Sequence, residues 1–286
     1  MMRLPSLLLL HVAAALVGCG SVDVVETDGG PMTACPEGRY GGTMVEVPAL
    51  DGTSYCMDPT EVTNRVYQAF LDDAPSLDLR PPACTEWPQV DDAFLESFVE
   101  DLETYQPTSW PPAEGREEYP VVGITWCSAA AFCHADRKRL CGKIGGGALA
   151  FFVNDVEQEL TDESYADPKL DEFANAMTRG GTRKYVYGDT YEDERCFVPG
   201  SHGSFELGPV KSRAGCEGGF PGLFDLGGNV YEFENALVYS PSIPTLPREA
   251  VSRGARDAIN IDRTTFTGTS DITGIRCCAD TLPKKP

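Results

Sequence analysis

The sequence predicts a single α+β domain with an irregular fold, little regular secondary structure and many disulfide bonds. The 286 residues include 29 glycines and 22 prolines, which favour turns and short elements over long helices. Eleven cysteines in a chain with a secretory leader indicate a disulfide framework. Neither a Pro/Ser-rich linker nor a change of composition divides the remainder, so one domain over residues 35–286 is the better interpretation.

The first element is the leader, which covers residues 1–19. Arg3 precedes an apolar run over residues 7–10, and this segment is too short to span a membrane, as is typical of a secretory signal. Its end, Leu16-Val17-Gly18-Cys19, resembles the lipobox of bacterial lipoproteins, whose cysteine carries the lipid. An ordinary cleaved signal with an incidental cysteine is the alternative.

The lipobox resemblance implies a location. Gly20, rather than an aspartate, follows Cys19, which favours the outer membrane over inner-membrane retention. We therefore expect a protein of the bacterial cell envelope, anchored to the membrane through lipidated Cys19, on either the periplasmic or the surface face. Residues 20–34 are polar, acidic and Gly-containing, which predicts a flexible tether.

Several short elements follow the tether. Thr63 is a good N-cap for a helix over residues 63–72, an Ala-rich helix is expected over 127–136, and a weaker one over 170–177. Short apolar runs predict strands at 44–47, 121–124, 185–187 and 251–253.

The charge of the chain limits its partners. The formal net charge is −21 at pH 7, and such a surface repels phosphate backbones. We therefore expect no nucleic-acid partner, whereas divalent cations suit this charge.

The ten cysteines after Cys19 are an even set, which favours five disulfides over a metal site. Zinc sites usually place cysteine pairs two to four residues apart, and Cys127, Cys133 and Cys141 are spaced more widely. Cys35 with Cys56 and Cys196 with Cys216 are plausible local pairs, since each encloses a short, turn-rich segment. The sequence leaves the pairing of the others open: Cys84, Cys127, Cys133, Cys141, Cys277 and Cys278.

The stretch over residues 222–233 carries the clearest chemical signal. Asp225 and Glu232 flank Gly227 and Gly228, and we expect the two glycines to take positive φ so that backbone carbonyls turn inward between the acids. Carboxylate and carbonyl oxygens on a flexible loop are what Ca²⁺ prefers. A plain Gly/Asn turn between two strands is the alternative.

A series of short motifs runs along residues 40–280. The motifs, in order, are Met44-Val45-Glu46-Val47-Pro48, Tyr55-Cys56-Met57-Asp58, Glu61-Val62-Thr63-Asn64, Pro120 to Trp126, Lys138-Arg139-Leu140, Tyr185 to Asp189, residues 222–233, Arg253-Gly254 and Gly274-Ile275-Arg276-Cys277. In this order they resemble the formylglycine-generating enzyme (sulfatase-modifying factor) family.

The resemblance implies a fold related to C-type lectins, often steadied by calcium. Carried onto this chain, the calcium ligands are the side chains of Asp225 and Glu232 and the carbonyls of Gly228 and Val230. A second family site uses an asparagine where this chain has Cys196-Phe197-Val198. The family also implies a disulfide between Cys133 and Cys277.

The resemblance does not extend to the catalytic centre. The family oxidises a substrate cysteine to formylglycine with O₂ and a copper ion held by two free cysteines, and soft thiolates are what Cu(I) selects. The aligned positions here are Ile259 and Thr264. We therefore expect no copper and no catalytic residue at these positions. Iron-dependent relatives need histidines that this chain lacks, since only His134 and His202 follow the leader.

Two functional hypotheses follow. In the first, the protein is a non-catalytic lipoprotein that uses the family scaffold to bind a protein or glycan ligand or to take part in envelope assembly. In the second, it is an oxidoreductase with a relocated metal or thiol centre, for which the adjacent pair Cys277-Cys278 is the candidate. Tyr187, Tyr231, Phe233 and Tyr239 could line a ligand groove, although core packing explains most of them.

Overall fold

The computed structural model describes three sheets and three α-helices within one compact unit, Thr33–Pro286. The described residues are 33–84, 104–152, 167–192, 194–197, 207–240, 243–254, 261–264 and 269–283. The leader, Cys19, Ile259 and His202 lie outside them. None of the helices in these ranges is both long and apolar enough to cross a bilayer.

Each α-helix begins at a side-chain N-cap. Helix α1 (Asn64–Asp72) follows Thr63, α2 (Trp126–Ala135) follows Thr125, and α3 (Glu172–Thr178) follows Asp171. The cap oxygens accept hydrogen bonds from the amides of Val66, Ser128 and Ala174 at 3.3, 3.1 and 3.0 Å. Each bond satisfies an amide that lacks an intrahelical partner. The three predicted helices are thus present, with ends shifted by one or two residues.

Eleven strands form the sheets in the described residues. The strands are β1 (Thr33–Ala34), β2 (Val45–Pro48), β3 (Ser54–Met57), β4 (Arg139–Leu140), β5 (Leu149–Phe152), β6 (Tyr231–Ser240), β7 (Ile243–Arg253), β8 (Ile261–Thr264), β9 (Thr273–Ile275), β10 (Cys277–Asp280) and β11 (Leu282–Pro283). One sheet has the order β2-β3-β10-β4, and another has the order β5-β6-β7-β8 with β9 also paired to β6.

The smallest sheet corrects the predicted tether. Strands β1 and β11 pair antiparallel, with Thr33 opposite Pro283 and Ala34 opposite Leu282. The last two residues of the predicted tether therefore belong to the folded unit, because they complete a ladder with the end of the chain.

Two of the four predicted strands are wrong. Residues 121–124 have no ladder, because Gly123 takes φ +72° and interrupts the extended run. Residues 185–187 lie in a turn that Tyr185 and Gly188 close with a bridge. The prediction at 44–47 corresponds to β2, and the one at 251–253 to the end of the much longer β7.

The core consists of two main clusters on opposite sides of β10. Tyr67 and Phe70 of α1 pack against Phe132 of α2 in the first cluster, with ring centroids 5.4–5.5 Å apart. The second contains Phe173 and Met177 of α3. Adjacent strand residues point to opposite faces, so Cys277 belongs to the first cluster and Cys278 to the second.

Candidate functional site

The loop of residues 222–233 has a different backbone from the one predicted. Asp225 and Asn229 take positive φ, +63° and +61°, whereas Gly227 and Gly228 do not. The glycines are needed for space instead: a Cβ on Gly228 would lie 2.5 Å from the carbonyl oxygen of Phe197. Asparagine and aspartate tolerate the left-handed region better than most residues. The expectation of positive φ at the two glycines was therefore wrong.

Glu232 is held by Arg276. The guanidinium Nε donates to both carboxylate oxygens at 2.8 and 3.0 Å, and Nη2 donates to Oε1 at 2.7 Å. Its remaining donors reach the carbonyls of Asp58 and Phe224 at 2.9 and 2.8 Å. Both side chains are almost completely buried, so the charge of Glu232 is compensated by this fixed cation.

Two more carboxyl groups lie in the same buried region. Glu61 Oε2 lies 3.9 Å from Arg276 Nη2, and neither oxygen of Glu61 accepts a hydrogen bond from a described residue. Burial and then repulsion by Asp225 raise the pKa of Glu61 well above its usual range. Asp225 Oδ2 accepts a hydrogen bond from the Lys211 amide at 2.7 Å, and burial raises its pKa as well.

The predicted calcium ligands can be tested against these contacts. A Ca²⁺ ion at Glu232 would take the position that the Arg276 guanidinium occupies, and two cations would then share one carboxylate. In this arrangement a calcium ion bound by Asp225, Gly228, Val230 and Glu232 would have to compete with Arg276, which donates to both oxygens of Glu232. Calcium at this loop stays a prediction that requires Glu232 to exchange Arg276 for the ion.

A second buried charge cluster joins α3 to the central hairpin. Arg253 at the end of β7 pairs with Asp171, the N-cap of α3, at 2.7 Å and with Glu234 of β6. All three residues are almost completely buried. Burial and the nearby Asp171 raise the pKa of Glu234 well above its usual range, while Arg253 opposes this rise. The cluster positions the strand that carries the Arg253-Gly254 motif.

The cysteines after Cys19 form five disulfides. The bridges include Cys35–Cys56, Cys133–Cys277 and Cys196–Cys216, the three pairs named from the sequence. The pairs that the sequence left open are Cys84–Cys127 and Cys141–Cys278. These ten residues are all of the cysteines beyond the leader, so none of them is a free thiol.

The remaining predicted site residues are not brought together. Thr264 ends β8 opposite Ala250, and Ile259 lies outside the described residues. His134 is exposed at the end of α2, where its Nδ1 lies 3.5 Å from the Leu79 carbonyl oxygen.

The proposed aromatic groove is also dispersed. Phe233 is buried in the core, whereas Tyr187 is half-buried and stacks on Tyr185 with centroids 5.7 Å apart. Tyr231 is half-buried, and the Tyr239 side chain lies outside the description.

Glu61 and Arg276 belong to motifs of the sequence, but neither was predicted to be a site residue. Both lie at the charged centre beside Glu232. The available signal was their place in apolar surroundings: Glu61 precedes Val62, and Arg276 lies between Ile275 and Cys277. A charged residue within a buried run requires a partner of opposite charge.

Comparison with known proteins identifies the family. Residues 22–256 match the model of the sulfatase-modifying factor enzyme 1-like domain. No curated protein sequence gives a significant match. Similar solved structures include CarF, with 18% identity, TM-score 0.47 and coverage of 79% of this chain and 86% of that chain. Variable protein 1 of Treponema denticola has 17% identity, TM-score 0.46 and coverage of 83% and 95%. PvdO from Pseudomonas aeruginosa has 13% identity, TM-score 0.45 and coverage of 84% and 92%. Because the family model covers well over half of its residues, the chain belongs to the sulfatase-modifying factor enzyme 1-like domain family.

Proposed function

We propose that this protein is a non-catalytic lipoprotein of the bacterial cell envelope that uses the family scaffold to bind a protein or glycan ligand or to take part in envelope assembly. The observation that carries the proposal is the pairing of all ten cysteines beyond Cys19 in disulfides.

The disulfides bear on copper chemistry directly. Cu(I) is bound by thiolates, and a sulfur in a disulfide cannot supply one. The two positions where the family places its copper ligands hold Ile259 and Thr264. Cys277 and Cys278, the alternative redox pair, belong to two separate bridges on opposite faces of β10. This pairing favours the binding hypothesis over a relocated thiol centre.

The scaffold is suited to rigid presentation of a surface. Disulfides connect β10 to α2 and to the residue after β4, and buried ion pairs connect α3 to β6 and β7. A surface held in this way loses little conformational entropy when it binds a partner. The lipid proposed at Cys19 would hold that surface at the membrane.

The first test is a free-thiol count on the denatured, unreduced protein, followed by disulfide mapping by mass spectrometry. We expect no free thiol beyond Cys19 and the five bridges described above. Two free thiols close together in the map would contradict the proposal. So would copper- and O₂-dependent oxidation of a peptide containing Cys-x-Pro-x-Arg.

Location is tested separately. Metabolic labelling with a fatty acid should label the wild type and not Cys19→Ser, and the labelled protein should fractionate with the outer membrane.

Calcium binding is tested by measuring the melting temperature of the protein in CaCl₂ and in EDTA. A rise with calcium that Asp225→Asn abolishes would support the ligand set, whereas an unchanged value would leave Arg276 as the cation at Glu232.

A further inference from the structure

A pocket of about 370 Å³ lies beside α2, away from the loop of residues 222–233. One side is the short 3₁₀ helix Leu77–Leu79 with the residues that follow it, and the other is the face of α2 that carries Ala130 and His134. Leu79, Trp126 and Leu140 give the pocket apolar walls. A cavity of this size accommodates a small molecule.

Arg80 supplies the distinctive chemistry of this pocket. It is only 9% exposed. Its Nη2 donates to the Thr104 carbonyl at 2.9 Å, and its guanidinium carbon lies 4.8 Å from the centre of the Tyr105 ring. Nε is buried without a hydrogen-bond partner, and Nη1 donates to no described residue. A buried guanidinium with unused donors requires an acceptor.

The other cations beside the pocket already have counterions. Lys138 pairs with Asp58 and Asp136 at 2.7 and 2.8 Å. Arg139 pairs with Glu172 and Asp280, both at 2.7 Å.

Arg80 has no such counterion among the described residues. Asp78, which also lines the pocket, is exposed and accepts its hydrogen bond from Ser76. Burial lowers the pKa of Arg80, and the opposing influences come from the phenols of Tyr105 and Tyr67 rather than from a carboxylate. An arginine nevertheless keeps its charge at any physiological pH. Among the described residues that line the pocket, Arg80 is therefore the cation without a carboxylate partner.

We infer that this pocket binds a small organic carboxylate. The carboxylate accepts a hydrogen bond from Arg80 Nη1, since Nε is fully enclosed and Nη2 donates to Thr104, and the apolar part of the ligand contacts Trp126 and Leu140. One arginine without a counterion in the described part of the chain matches a monoanion better than a phosphate dianion. The Asn235 side chain, which forms no hydrogen bond with the described residues, lines the same pocket and offers an amide to the ligand.

The inference goes beyond the proposed loss of copper chemistry and can fail independently of it. A free-thiol count leaves it untouched, and absence of carboxylate binding would leave the non-catalytic proposal intact.

Benzoate is a suitable probe, and benzamide is its neutral counterpart. We expect titration calorimetry on the full mature chain, with its disulfides intact, to give binding of benzoate and at least tenfold weaker binding of benzamide. In Arg80→Met the affinity for benzoate should fall about tenfold, the loss expected for one charge-assisted hydrogen bond. The matched control is Arg65→Met, which removes an exposed arginine on α1 that pairs with Glu118 and should bind benzoate as the wild type does.

A second readout locates the ligand. The chain has three tryptophans, and the indole N–H resonance of Trp126 should shift on benzoate addition while that of Trp110 stays in place.

A second variant keeps the test available if Arg80→Met does not fold. Asn235→Ala should weaken benzoate binding several-fold. N-acetylphenylalanine resembles the carboxyl terminus of a peptide, and its amide is the neutral control. If N-acetylphenylalanine bound more strongly than benzoate, the natural ligand would be the carboxyl terminus of a peptide. Equal binding of benzoate and benzamide, or unchanged affinity in Arg80→Met, would overturn the inference.

Discussion

At the scale of single residues, this fold depends on a few buried charges that are held by partners of opposite charge. Arg276 is the clearest case, because it directs three hydrogen bonds to Glu232 and lies between Glu232 and Glu61. An ion pair taken out of water contributes little net stability, but removal of one partner leaves the other charge buried and uncompensated.

Arg276→Met should therefore destabilise the protein by about 3–5 kcal/mol. The comparison is Arg65→Met, whose pair with Glu118 is well exposed at 66% and 48% of the two side chains and whose loss should cost no more than about 1 kcal/mol. Urea unfolding of the two variants measures both values. Equal losses would mean that the buried pair has no special role.

Position 228 requires a glycine, because the surrounding atoms leave no room for a side chain. Gly228→Ala places a methyl group 2.5 Å from the Phe197 carbonyl oxygen and 2.9 Å from Cys196 Cβ, and should cost about 1–3 kcal/mol through overpacking. Gly42→Ala is the matched control, because a Cβ there meets no atom within 4 Å. Thermal unfolding of the two variants is the measurement, and a Gly228→Ala protein as stable as Gly42→Ala would show that the loop adjusts freely.

At the scale of elements, β10 connects the two halves of the core through adjacent cysteines. The Cys133–Cys277 bridge joins residues that are 144 positions apart and ties α2 to this strand, whereas Cys196 and Cys216 are 20 positions apart. In the chain-entropy model the longer loop contributes about 5 kcal/mol and the shorter one about 3 kcal/mol.

The double variant Cys133→Ala/Cys277→Ala should thus lose more stability than Cys196→Ala/Cys216→Ala. Removing both cysteines of a bridge avoids an unpaired thiol, and urea midpoints of the two proteins give the comparison. The reverse order would indicate that local strain or residual structure in the unfolded chain, rather than loop length, decides the contribution of each bridge.

Elements with strong local signals could be predicted from the sequence. Thr63 begins α1 in the structure because a threonine hydroxyl satisfies a free amide of the first turn. The strand predicted at residues 121–124 is absent. The apolar residues there are typical of a strand, but Gly123 takes a positive φ and interrupts the extended backbone.

The hairpin of β6 and β7 was largely missed. Its register shifts between Phe233 and Leu237 and again around Tyr239, so hydrophobic alternation is interrupted along the strand. The charged site was missed for a different reason. Glu61, Glu232 and Arg276 are distant in sequence, and only the tertiary fold brings them together.

At the scale of the whole molecule, an acidic chain has buried a large group of carboxyls. Burial is the main cause that raises the pKa of seven of them: Asp58, Glu61, Asp171, Glu172, Asp225, Glu232 and Glu234. A carboxyl with a raised pKa keeps its proton in the folded state at pH values where the unfolded chain has already released it. Its contribution to stability is complete below the ordinary pKa and is lost as the pH rises through the raised value.

The free energy of unfolding should therefore be larger at pH 5 than at pH 8. Self-repulsion of a chain with net charge −21 acts in the same direction. Glu234 tests the buried contribution, because Glu234→Gln leaves Arg253 paired with Asp171. The variant should lose less stability than the wild type between these pH values, by about 1.4 kcal/mol for each pH unit of this window over which folded Glu234 keeps its proton.

Glu37→Gln separates the two causes, since Glu37 is exposed and its replacement removes one formal negative charge, as Glu234→Gln does. Urea unfolding at a series of pH values should give the wild-type slope for Glu37→Gln and a shallower slope for Glu234→Gln. If both variants kept the wild-type slope, buried Glu234 would make no contribution to the pH dependence. The buried Asp171–Arg253–Glu234 cluster would then remain ionised throughout, with Arg253 compensating both carboxylates.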